Sequence, residues 1–122
     1  MKISKLVGIL NDMPRKNKSS VSRKHYTIIA CALDKRGRVL AMRTNDYNCS
    51  HPLQKYYAEK VGRPEAIFLH AEVATLIAAR KEVYKLLIAR VDMQGNPLPA
   101  KPCSICEKAI AAFGVKEIEY TQ

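Results

Sequence analysis

Two short stretches hold the side chains whose types and spacing could do chemistry: His70-Ala71-Glu72 and Pro102-Cys103-Ser104-Ile105-Cys106. Thiols three residues apart share one face of a helix's first turn. The helix dipole and the unpaired N–H groups there favour thiolates. Pro102 stands just before them, where a missing N–H costs little. Such a pair wants a soft or borderline cation, usually zinc. His70 opens a different helix and would add an imidazole. Two sulfurs and one nitrogen, with no obvious fourth protein ligand, leave a coordination position for water, as in a catalytic zinc site. Glu72 follows His70 by two residues, so it can move a proton to and from that water without ligating the metal. Neither H-A-E nor C-x-x-C is decisive alone; together, each opening a helix, they form a specific signal. The competing reading is a structural zinc completed by Cys49, His51 or His25.

These residues need elements that bring them together. Ile3, Leu6, Val7 and Leu10 recur at helical spacing and predict a helix that ends before Pro14. HYTIIACAL at 25–33 suits a strand buried on both faces, with Cys31 a small core residue. DKRG at 34–37 is a turn, and 38–43 returns as a second strand to form a hairpin. The spacing then predicts a polar loop at 44–52 and a helix at 53–62 closed by Gly62. A helix at 70–82 follows, with Val73, Ala74, Ile77 and Ala78 on one face, then a strand at 83–92. A loop at 94–102, a helix at 103–114 closed by Gly114 and a strand at 115–122 complete the order. Strand–helix–strand units imply right-handed parallel crossovers beside the antiparallel hairpin. In such crossovers successive helix N-termini lie at one edge of the sheet, so His70 and the two cysteines can converge.

Composition sets the outer bounds. The 122 residues make one domain: a helix and basic loop over 1–24, and a catalytic core over 25–122. No apolar run reaches membrane-spanning length, so no membrane partner is expected. The N-terminus lacks the features of a secretion signal, which points to an intracellular, cytoplasmic protein. In that setting a C-x-x-C pair reads as metal or redox chemistry before a disulfide framework. The formal charge is +10, and residues 1–36 hold nine basic residues against Asp12 and Asp34. That excess suggests a phosphate-bearing substrate, free or polymeric, although a solvated loop at 15–24 accounts for it equally well.

The H-x-E…P-C-x-x-C set resembles the signature of zinc deaminases. Over about residues 25–120, and including the hairpin HYTIIACALDKRGRVLAMRTN, the chain resembles the cytidine/deoxycytidylate deaminase superfamily. The segment HPLQKYYAEKVGRPEAIFLHAE is most similar to the small deoxycytidylate-type deaminases of phage genomes. The resemblance implies a three-layer α/β/α fold on a mixed sheet of four to five strands. It implies one zinc ion on His70, Cys103 and Cys106, with Glu72 as proton shuttle, and zinc-bound hydroxide attacking C4 of cytosine to release ammonia. Asn45 falls at the family's substrate-binding asparagine, with Asn48 in the same loop its competitor. Ala71 and Pro102 are placed against the substrate, and His51 at its mouth.

Tyr26 and Tyr56-Tyr57 could stack on a base, one of the latter pair being the usual core residue of such a helix. Arg43, Arg63 and Lys101 are candidate phosphate contacts. A second, structural zinc at Cys49 and His51 is not expected. The family often continues beyond the fourth strand. The elements that tell a nucleotide from a polynucleotide are therefore expected to be missing here or supplied by another subunit, and the superfamily is commonly a homo-oligomer.

The leading expectation is hydrolytic deamination of a cytosine nucleotide, dCMP to dUMP. The first alternative is a deaminase acting on cytosine or adenine in single-stranded DNA or tRNA. The second is a non-catalytic, zinc-stabilised binding module. The intact Glu72 argues against that last reading, because a structural zinc has no use for a carboxylate that does not ligate it.

Overall fold

The most continuous apolar runs, IIACAL at 28–33 and the LLIA of KLLIARV at 85–91, lie side by side in the middle of a sheet. Helices cover both faces, which is why neither strand alternates apolar with polar. The computed structural model describes residues 1–13, 28–63, 68–92 and 94–122, and only the backbone of 46–50, 68 and 69. In chain order the elements are α1 (Ile3–Asp12), β1 (Ile28–Leu33), β2 (Val39–Thr44), β3 (Asp46–Ser50), α2 (Pro52–Lys60) and β4 (Phe68–Leu69). They continue with α3 (Ala71–Ala79), β5 (Lys85–Val91), β6 (Pro97–Leu98), α4 (Ser104–Ala112) and β7 (Glu117–Tyr120).

β1 pairs antiparallel with β2 on one side (Ala30↔Arg43, Ala32↔Ala41) and with β5 on the other (Ile28↔Arg90, Leu33↔Lys85). β7 runs parallel to β5 (Lys85↔Glu117, Ile88↔Tyr120), and β6 pairs antiparallel with the last residues of β5 (Arg90↔Leu98). The result is a mixed, five-stranded sheet. β2, β5 and β7 run in one direction and β1 opposes them. Both crossovers, β2 to β5 through α3 and β5 to β7 through α4, therefore join strands of like direction, as expected. The first of them steps over β1.

Strand alternation assigns the layers. Ile29, Cys31 and Leu33 of β1 join Leu87, Ala89 and Val91 of β5 against Leu6 and Leu10 of α1. Ala30, Ala32, Leu86 and Ile88 face the other way, into Val73, Leu76, Tyr57, Ile105 and Ile110 of the three remaining helices. This is the expected three-layer α/β/α arrangement. Tyr57 is core and Tyr56 is exposed. Among the described residues no helix is long and apolar enough to cross a membrane.

Three local expectations are corrected. Residues 44–52 were expected as a loop, yet β3 lies within them and pairs with β4 across an irregular register (Asp46↔Leu69, Ser50↔Phe68). Part of 94–102 is the short strand β6. On α3 the buried set is Ala71 through Leu76 plus Ala79, while Ile77 and Ala78 are only half-buried. A helix sandwiched between the sheet and α4 has no single apolar face for periodicity to find. It also ends at Ala79, with Arg80 in the left-handed region (φ 53°), rather than continuing to 82. His25, Tyr26 and the basic stretch 15–24 lie outside the described residues, as do the side chains of Asn48 and Cys49.

Candidate metal centre and substrate cleft

The crossover geometry sets α3 and α4 side by side with both N-termini at the edge of the sheet where β2 and β5 end. His70 is the N-cap of α3, and Cys103 is the N-cap of α4; both have extended backbones. An N-cap side chain normally folds back onto its own helix. The His70 side chain does not, and the Cys103 sulfur, close to the Cys106 N–H, also faces the imidazole. Cys106 is the third residue of α4, and N-cap and N3 side chains meet at a helix start, which is the physics behind the C-x-x-C spacing. The three side chains turn towards one another. His70 Nδ1 lies 3.2 Å from Cys106 Sγ and 3.5 Å from Cys103 Sγ. All three donor atoms fall within 4.8 Å of one another. Tetrahedral zinc, with Zn–S about 2.3 Å and Zn–N about 2.0 Å, holds nitrogen and sulfur about 3.5 Å apart. The trio fits one zinc ion.

The electrostatics of the cluster agree. The Cys103 thiol is pulled well below its ordinary range, first by the hydrogen bond from Cys106 and then, against the cost of burial, by His70. The same bond to Cys103, together with burial, holds the proton on Cys106. His70 is raised, chiefly by its bond to Cys103. One sulfur is thus a ready thiolate in a half-buried setting.

Beside the trio lies a cleft of about 170 Å³, lined by Ile28, Asn45, His70, Ala71, Glu72, Lys101 and Cys103. Glu72, in the first turn of α3, is 7 % exposed. Burial is the main reason its carboxyl is raised above the usual range, and His70 partly offsets that. Asn45 follows β2 directly and is 5 % exposed. Neither its amide nitrogen nor its amide oxygen has a hydrogen-bond partner among the described residues. Buried side-chain amides are nearly always satisfied, so this one stands out on the cleft wall. Lys101 is exposed at the rim.

Not every expected contact meets here. His51 does not line the cleft; it caps α2, its Nδ1 accepting from the Leu53 N–H at 3.1 Å. Pro102 is buried behind the cleft and is not part of its lining. Arg43 lies on the α3 side of β2, in register with Ala30, with its guanidinium donating to the Met42 carbonyl at 2.7 Å. Arg63 is exposed but close enough to His70 to press its pKa down.

Two residues that sequence reasoning missed belong to the site. Ile28 forms an apolar wall of the cleft. Gln54 of α2 is fully buried, and its Oε1 accepts from the His70 backbone N–H at 3.3 Å. Nothing local marks a buried glutamine. The hint was indirect, in that Val73, the N3 residue of α3, cannot reach back to the cap amide as a Glu or Gln would.

Residues 10–122 match the family described as the cytidine and deoxycytidylate deaminase zinc-binding region. None of the curated proteins matches the chain. The family match spans the hairpin, both crossovers and all three candidate ligands, so the likeness reaches well beyond two short motifs. The chemistry that sheet, trio and cleft support is zinc-dependent deamination, and the chain belongs to the cytidine and deoxycytidylate deaminase family.

Proposed function

We propose that the protein is a zinc-dependent hydrolase that deaminates a free cytosine nucleotide, dCMP to dUMP and ammonia. The observation that carries this reading is the buried, unpartnered amide of Asn45 across the same small cleft as Glu72 and the ligand trio. A cleft of about 170 Å³ is small beside the 300–1,000 Å³ or so of pockets for drug-sized ligands. It suits a single ring rather than a fused or stacked pair.

His70, Cys103 and Cys106 would hold the metal, which when bound would supply Lewis acidity and a water of lowered pKa. Asn45 has one donor and one acceptor to offer, and it orients the nucleotide through its base edge or sugar. Ile28 packs against the ring and Ala71 brings the start of α3 up to it. Glu72 takes a proton from the attacking water and gives it to N3 of the ring. As that proton reaches N3 the remaining hydroxide bonds to C4. Glu72 then carries the proton of the new C4 hydroxyl to the 4-amino group, the C4–N bond breaks, ammonia leaves and the C4 carbonyl of uracil forms. A carboxyl raised by burial suits both halves of that transfer, because its pKa moves towards the working pH. At the rim, Lys101 meets the phosphate, and Arg43 can swing from the Met42 carbonyl to join it.

The test is to offer the purified protein dCMP, CMP, dCTP, deoxycytidine and a cytosine-containing oligonucleotide, and to measure ammonia. Release from dCMP ahead of the others is expected. Release from the oligonucleotide alone would replace this reading with the polynucleotide one, and release from none would overturn both. Lys101→Gln should lower kcat/KM for dCMP by roughly tenfold, the loss of one charge-assisted bond, and leave deoxycytidine almost unchanged.

A further inference from the structure

We propose that Gln54 is a positioning residue for the metal centre, setting the affinity of the site through the backbone of His70. This rests on the reading of His70 as a metal ligand. The argument begins at the helix cap. In a capping box the N–H of the N-cap residue is met by a Glu or Gln at N3 of the same helix. In α3 that position is Val73, which is buried in the core. The acceptor comes instead from α2, where Gln54 Oε1 takes the His70 N–H at 3.3 Å.

Gln54 is itself the N3 residue of α2, yet its Oε1 serves the cap amide of α3. His51 caps α2 itself, its ring nitrogen accepting from the Leu53 N–H. Gln54 is fully buried, and a glutamine taken into the core without an acceptor role would cost more than it contributes. The bond fixes the one backbone unit from which the imidazole is hung. With that unit held, Nδ1 faces both thiols at 3.2 and 3.5 Å, and the side chain is not drawn back to cap its own helix. Groups that orient a ligand in this way typically contribute about 10–100-fold to metal affinity.

The experiment compares full-length variants by zinc affinity, using competition with a chromophoric chelator, and by the visible spectrum of the cobalt(II)-substituted protein. Gln54→Met keeps the length of the side chain and removes the acceptor. It should weaken zinc roughly 10–100-fold and shift the cobalt bands. Gln54→Glu keeps the acceptor oxygen and should retain most of the affinity. Thr75→Val is the control for mere structure, since Thr75 is equally buried on the same layer and donates to the Ala30 carbonyl. It should lower stability while leaving affinity and spectrum alone.

Wild-type affinity and spectrum in Gln54→Met would overturn the proposal, even with a lowered melting temperature. If that variant does not fold, amide exchange of His70 in the wild-type protein decides: protection supports the bond, and exchange at the rate of a free amide overturns it. Failure of the wild-type protein itself to bind zinc would instead sink the reading of His70 as a ligand. That result differs from tight wild-type binding left unchanged by Gln54→Met, which sinks the role of Gln54 alone.

Discussion

On the α1 side of the sheet the buried residues run from Leu6 and Leu10 to the alternate apolar residues of β1 and β5. The buried polar residue there, Thr121, is satisfied, its hydroxyl accepting from the Arg90 N–H and donating to the Leu98 carbonyl. On the other side the aliphatic core is interrupted by Gln54, Glu72 and Thr75, with Asn45 at its rim. The polar residues on that side are graded. Thr75 and Gln54, which do not line the cleft, are hydrogen-bonded to the Ala30 carbonyl and the His70 N–H. Glu72 and Asn45, which line the cleft, are respectively shifted by burial and without a partner among the described residues. Burying an unsatisfied polar group costs about 1–3 kcal/mol, and a face with no chemistry has no reason to bear that. One face holds the fold together, and the other gives up part of its stability to a site.

The comparison can be broken most sharply at the ligands. Cys106→Ser should remove stoichiometric zinc, measured by elemental analysis, and abolish ammonia release. A variant that kept its zinc would mean that the trio is not the metal site. Glu72→Gln separates holding the metal from moving the proton. Turnover should fall by about 10²–10⁴-fold with zinc content unchanged. Loss of zinc in that variant would make Glu72 a ligand after all. On the opposite face, Leu10→Ala should lower unfolding free energy by about 2–5 kcal/mol, read by urea titration. The kcat and KM of the molecules that remain folded should not change. A shift in KM would show that the α1 layer reaches the site.

Legibility in the sequence followed the same division between local and distant causes. The ligand trio could be read because its spacing is a property of a helix start: N-cap and N3 side chains meet wherever a helix begins. The convergence of His70 with the cysteines followed from crossover handedness, which is also general. What escaped depended on partners distant in the chain. β3 is fixed by its pairing with 68–69, and its own residues, DYNCS, alternate but carry the Asp, Asn and Ser that favour turns and loops. Gln54 looks like a surface residue in a polar helix until α3 is packed over it. His51 was assigned to the substrate because it is a histidine at a loop edge, whereas its ring caps α2. The burial of α3 on nearly all sides erased the periodicity that would have separated Leu76 from Ile77.

The smallest expected effect concerns two turns with one design, at opposite ends of the sheet. Asp34 accepts from the N–H groups of Arg36 and Arg38, and Asp92 from those of Gln94 and Asn96. Each turn closes with a glycine at positive φ, Gly37 and Gly95. The backbone hydrogen bonds are the largest cause of a lowered pKa at both aspartates. A depressed folded-state pKa adds stability that is present above the unfolded value, near 3.9 for Asp, and is lost as pH falls through the folded value. Asp34→Ala and Asp92→Ala should each lower the melting temperature at neutral pH, and each should flatten its decline below about pH 4. The two should not be equal. Asn11 of α1 donates to the Gly95 carbonyl at 3.0 Å, and a side chain at Gly95 would press to 2.9 Å from Asn11 Oδ1. The Asp92 turn therefore also docks the helix that covers the apolar face, and Asp92→Ala should cost the more of the two. Equal losses in a melting series from pH 7 to 3 would mean that α1 is held by its leucines alone.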